Sequence, residues 1–118
     1  MQENILTIGV ASLSKIKARM KAAAHGQRDA TPHFTFTSNE DLLRTLTPNR
    51  WGLLQAISGA GEIGVRELAR RVGRDVKGVH TDAAVLVACG LIDKSDSGAL
   101  SFPYSGVRVE FETLAKAA

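Results

Sequence analysis

One cysteine, Cys89, stands in the whole 118-residue chain, so an intrachain disulfide is excluded. With a single thiol and three separated histidines, a zinc site built by this chain alone is not expected either. There is no apolar run of membrane-spanning length, and the first residues lack a basic flank followed by a long apolar block. A cytoplasmic chain with no membrane partner is the expectation. Also missing are a glycine-rich phosphate cradle, a metal-spaced ligand set and a nucleophile placed beside a base. Neither enzymatic chemistry nor a cofactor is therefore expected.

A hydrophobic fraction of 44% and a charged fraction of 23% are those of a folded globular chain, and the length allows one domain with an accessory arm. The net charge of +3 is small but uneven. Between Arg66 and Lys77, five basic residues face only Glu67 and Asp75. That local excess is what a polyphosphate partner would use.

The segment from Ile63 to Phe102 organises the rest. Val65, Leu68, Ala69 and Val72 recur at helical spacing, with Arg66, Glu67, Arg70 and Arg71 on the other side. Gly73 supplies the permissive backbone for a tight bend, and Asp75 is placed to cap a second helix. In that helix Val76, Val79, Ala83 and Leu86 form the apolar stripe, and Lys77, His80 and Thr81 lie opposite. Helices this short must share a third, which Pro48 to Ser58 supplies: Thr47 caps it, Pro48 takes its first position, and Trp51, Leu54 and Ile57 point inward, flanked by Leu53 and Ala56. Gly90 ends the second motif helix, beside Cys89, which reads as packing. Leu91 and Ile92 turn back over the core, Asp93 to Gly98 make a polar turn, and Leu100 to Phe102 return. Glu62 to Gly64 is expected to pair with that wing.

Around this unit lie extended pieces. Leu6, Ile8 and Val10 share one face of an early strand, and Ser12 opens a helix running to about His25 with the stripe Leu13, Ile16, Met20 and Ala24. Lys15, Lys17, Arg19 and Lys21 surround that stripe, which is expected to pack on its own core or against a second copy, with Met20 as a filler. After a loop over 27–32, Phe34 and Phe36 mark a second strand, and Ser38 caps a short helix carrying Leu42, Leu43 and Leu46. Val107, Val109 and Phe111 alternate with Arg108, Glu110 and Glu112 as a half-buried strand, mated to the two earlier ones. The tail after Thr113 is expected to fray. The whole reads as an α+β fold: an N-terminal strand-helix-strand arm over 1–37, a winged helix-turn-helix over 38–103, and a C-terminal strand and tail over 104–118.

The second motif helix of such a unit enters a major groove. Base contacts are expected from Arg74, Lys77, His80 and Thr81, and phosphate contacts from Arg50, Arg70, Arg71 and Lys94. Asp82 either orients nearby basic side chains or is simply solvated. Gly78, about 1 kcal/mol worse than alanine within a helix, marks either a close approach to the helix or tolerance near its start.

The runs LTPNRWGLLQAI, VRELARRVGRDVKGVHTDAAVLVACGLIDK and LSFPYSGVRVEF resemble small prokaryotic predicted transcriptional regulators with a MarR-like winged helix, some of them described as antitoxin components. The likeness runs from Phe34 to Phe111. It implies that Arg74, Asp75, Lys77 and His80 belong to a recognition region. Thr81 stands where members often carry a basic residue, and Ala83 where a larger aliphatic is usual. The expected function is a dimeric, sequence-specific DNA-binding repressor with double-stranded DNA as partner. The rival is an interaction module, or antitoxin component, that binds a toxin protein.

Overall fold

The computed structural model describes residues 4–24 and 32–112. The loop expected over 27–32 falls outside them except for Pro32, and His25 and the fraying tail lie outside them too.

Chain order is β1 (Ile5–Val10), α1 (Leu13–Ala24), β2 (His33–Phe36), α2 (Asn39–Thr45), α3 (Pro48–Ile57), α4 (Val65–Val72), α5 (Val76–Cys89), β3 (Asp93–Lys94), β4 (Leu100–Ser101) and β5 (Gly106–Glu110). It is an α+β chain with the winged helix-turn-helix arrangement. The starts and stops are chemical. Ser38, Thr47 and Asp75 accept hydrogen bonds from the backbone N–H groups of Asp41, Arg50 and Gly78, each filling one orphan donor of α2, α3 and α5. Gly73 and Gly90 close α4 and α5 in the left-handed region, at φ 69° and 94°.

Three helices and the wing close one core. Leu53, Leu54 and Ile57 of α3 meet Leu68 and Ala69 of α4 and Val79, Ala83 and Leu86 of α5, while Leu91, Ile92, Leu100 and Phe102 fold over them. Ile63 bridges Leu100 through a reciprocal pair of backbone hydrogen bonds of 2.8 Å each, so the stretch before α4 forms a third strand-like edge of the wing. Trp51 and Cys89 pack partly buried against this core.

The terminal strands form a parallel sheet in the order β2-β1-β5. Parallel neighbours need crossover connections. The crossover from β1 to β2 carries α1, and everything from α2 to β4 lies between β2 and β5. The C-terminal strand was expected beside both earlier ones, but it pairs with β1 alone because β1 takes the centre. β1 is flanked by a strand on each edge, and Thr7 is buried along with Leu6 and Ile8. Leu6 and Ile8 join the helical core, with Phe34, Phe36, Val107 and Val109 packed beside them.

Five apolar residues from the expected stripes and strands are exposed. Leu13 and Met20 of α1 are 63% and 67% exposed, so their stripe does not pack on its own core. Leu43 is exposed because α2 buries only Leu42 deeply, and Val76 because it sits in the first turn of α5, before that helix meets α3 and α4. Phe111 lies just past the end of β5 and has no neighbouring strand to cover it.

Candidate nucleic-acid interface

The backbone of the turn between α4 and α5 is shaped by local chemistry. Gly73 donates back to α4, the Arg74 N–H reaches the Ala69 carbonyl at 3.0 Å, and Asp75 Oδ2 takes the Gly78 N–H at 2.8 Å. This turn aims the first two turns of α5 outward. Lys77, His80 and Thr81 are all exposed there, one helical turn apart. The Thr81 hydroxyl donates to the Lys77 carbonyl at 3.0 Å. Toward a base, Thr81 is therefore left with lone pairs and a methyl group, suited to an adenine or cytosine amino group or a thymine methyl.

Further along, the same face of α5 turns small and apolar at Ala84 and Ala88. Opposite stands the wing, whose tip is held by Ser95: its N–H meets the Ala99 carbonyl at 2.9 Å, and its hydroxyl accepts from the Ala99 N–H at 3.1 Å. Between helix and wing lies an open cleft of about 630 Å³. Arg66, His80 and Lys94 are among its lining residues, which include no carboxylate. Arg66 contributed to the charge pattern of the sequence, but nothing in the pattern showed that the start of α4 would reach the wing.

Arg70 and Arg71, on the last turn of α4, share one carboxylate. Glu67 accepts from Nε and Nη2 of Arg70, at 2.8 Å for Nε, and from Nε of Arg71 at 3.3 Å. The Arg70 hydrogen bond, followed by that of Arg71, holds the Glu67 carboxyl at about 2 instead of the ordinary 4.5 and pushes the Arg70 guanidinium up. A depressed carboxylate stabilises the fold fully above 4.5 and loses that contribution as pH falls through 2. In a carboxyl-carbon NMR titration Glu67 is expected to titrate near 2, and to move up toward 4.5 in Arg70→Ala, where Arg71 keeps the smaller part of the depression; a wild-type midpoint near 4.5 rejects the clasp.

Arg50 and Arg74 differ from the other basic residues. Both turn inward onto Asp82 of α5: Arg50 Nε lies 3.1 Å from Oδ1 and Arg74 Nη2 lies 2.9 Å from Oδ2. Arg50 Nη1 also donates to the carbonyls of Arg44 and Thr45, at 3.2 and 3.3 Å. Asp82 thus ties α3, the motif turn and α5 together. The arrangement also bears out one of the two readings of Gly78, a close approach to the helix, and shows what approaches. A side-chain carbon there would lie 2.9 Å from Asp75 Oδ1 and 3.1 Å from Arg74 Nη2, so the glycine makes room for the cap and the clamped arginine.

Among the described residues no group of three or more His, Cys, Asp or Glu side chains is placed to hold a metal ion, and no helix is long and apolar enough to cross a membrane. Fold and surface together define a winged helix-turn-helix protein with a basic outer face. The model of the HVO_A0114 family matches residues 45–109, more than half of the chain, and the chain belongs to that family. It is also similar to a crystal structure of "the predicted DNA-binding transcriptional regulator from E. coli", at 23% identity and a TM-score of 0.50, over 78% of this chain and 84% of that one. At that identity the likeness shows the fold. A search of curated proteins finds no match.

Proposed function

We propose that this chain is a sequence-specific, homodimeric DNA-binding regulator that represses by occluding a promoter. The observation that carries the reading is the exposed row of Lys77, His80 and Thr81 on the helix that follows the motif turn, beside a cleft without carboxylates. This helix enters the major groove, where Lys77 and Thr81 read base edges, His80 lies against the strand beside the wing, and Lys94 takes a phosphate. Arg70 and Arg71 reach the backbone from the end of α4. The solved regulator of the same fold, described as DNA-binding, and the resemblance of the sequence to regulators with a MarR-like winged helix support the same reading.

The test is a titration of purified protein with DNA from its own upstream region, at several salt concentrations and against an unrelated duplex. Tight, competitor-resistant binding that weakens with salt supports the proposal. Equal, weak binding of both duplexes moves the search to a protein partner, such as a toxin.

A two-fold dimer fits the stripe on α1, whose Leu13 and Met20 are exposed among the described residues. Pairing two such helices buries Leu13 and Met20 and leaves Lys15, Lys17, Arg19 and Lys21 at the rim, while two α5 helices spaced about 34 Å or a multiple apart read paired half-sites. Leu13→Glu with Met20→Glu is expected to convert a dimer into a folded monomer, measured by light scattering on a sizing column. Unchanged mass in the double variant removes α1 from the interface. Should the double variant lose a different protein's binding and not self-association, the interaction-module reading gains.

A further inference from the structure

Two arginines on the reading side of this domain are withheld from solvent by one carboxylate. Asp82 is 14% exposed, and each of its oxygens is taken by a different guanidinium, from Arg50 and Arg74, themselves 19% and 24% exposed. Arg50 is further fixed by two carbonyl oxygens, so it is a structural anchor. Arg74 is held differently. Its Nη1 is buried and has no hydrogen-bond partner, which leaves one donor of the guanidinium unsatisfied while Asp82 retains it. A group held in this way gains when it moves to a partner that uses more of its donors.

We infer that Asp82 determines specificity by withholding Arg74 from ordinary DNA phosphate, releasing it only where an uncharged partner such as a guanine edge engages the guanidinium with two hydrogen bonds. The inference rests on the DNA-binding reading above. A phosphate can also take two hydrogen bonds from a guanidinium, but it brings a full negative charge up to the Asp82 carboxylate, which repels it, and Arg74 stays on Asp82. A guanine in register with the start of α5 offers O6 and N7 together, which satisfies more donors than the clamp does. Withholding a cation from nonspecific DNA lowers the background against which a true site must compete, so the ratio of the two affinities rises. The Gly78 gap serves the same end, because it leaves room for the Arg74 guanidinium beside the helix start.

The experiment compares wild type with Asp82→Asn, which keeps the side-chain shape and removes the charge, on upstream and unrelated duplexes across a salt series. Release of Arg74 steepens the salt dependence of unrelated-DNA binding by about 0.9 in log–log slope, the value of one added phosphate contact. Unrelated DNA then binds more tightly, and the preference for upstream DNA falls on the order of tenfold, the scale of one bidentate base contact. Asp93→Asn on the exposed wing removes an equal charge without freeing an arginine, and Asp82→Asn with Arg74→Gln removes the freed one. Neither is expected to steepen the slope. A slope for Asp82→Asn no steeper than that of Asp93→Asn overturns the inference, as does a steep slope that survives Arg74→Gln.

A second measurement on wild type stands even where Asp82→Asn fails to fold. The side-chain N–H resonances of Arg74 are expected to keep their free-protein shifts in the unrelated-DNA complex and to move in the upstream complex. Movement in both, or in neither, overturns it. Wild type that does not distinguish the two duplexes at all sinks the DNA-binding reading itself and takes this inference with it, a result seen before any variant is made.

Discussion

Phe102→Ala is expected to lower the stability of the domain by about 3–5 kcal/mol, the cost of emptying a large buried aromatic site. The side chain is 2% exposed and stands edge to face with Tyr104 at a centroid distance of 5.0 Å. It lies where β4 leaves the wing and the chain heads for β5. One ring therefore holds both the root of the wing and the approach to the sheet. The Tyr104 carbonyl accepts the Gly59 N–H at 3.0 Å, tying the same corner to the end of α3. Stabilities of single domains are about 5–15 kcal/mol, so the loss takes a large share of the total and lowers the melting temperature by roughly 15 °C or more. Urea unfolding of wild type and variant by tryptophan fluorescence of Trp51 measures it. A difference below about 1 kcal/mol would show that the corner collapses around the missing ring, and that the wing is held by Leu91, Ile92 and Leu100 without it.

Much of the fold was legible because its signals are local. A cap needs an oxygen three residues before a donor, and Ser38, Thr47 and Asp75 stand at that spacing. A glycine at a left-handed stop is equally short-range, and Gly73 and Gly90 mark both ends of the motif. Periodicity found the buried stripe of α5 from Val79 onward, but it cannot say where a helix leaves its neighbours, and Val76 was assigned inward for that reason. The stripe of α1 shows the same limit at full length: Leu13, Ile16 and Met20 repeat as a buried face does, while exposure depends on whether anything lies opposite.

The candidate site divides along the same line. Lys77, His80 and Thr81 follow from helical spacing after a capped turn, and the structure brings them together on one exposed face. The clamp was only half visible. Asp82 was read as either an orienting group or a solvated one, and choosing between these needed contacts across 32 residues to Arg50 and eight to Arg74. Charge counting treats every arginine as available. Partner geometry sorts them: Arg50 and Arg74 are held on Asp82, Arg70 and Arg71 share Glu67 at the surface, and Arg66 and Lys94 line the cleft.

That sorting gives Lys77 the largest expected effect on recognition among the freely exposed groups. Lys77→Ala is expected to weaken binding to upstream DNA by about 1–3 kcal/mol, roughly 5- to 150-fold, and to relax preference at one base pair per half-site. Its position supports a base contact over a phosphate contact: it stands in the first turn of α5, after the Asp75 cap, the end that leads into the groove on the proposed DNA-binding reading. Lys94 supplies the contrast, because it lies on β3 beside the tip of the wing. Lys94→Ala is expected to weaken all duplexes alike and to reduce the salt slope by about 0.9, as the loss of one phosphate contact does. A panel of upstream duplexes carrying single base-pair changes, titrated with both variants, separates the two roles. If Lys77→Ala weakens every duplex by the same factor, Lys77 is a phosphate contact, and base reading by α5 falls to Thr81 and to Arg74 once Asp82 lets it go.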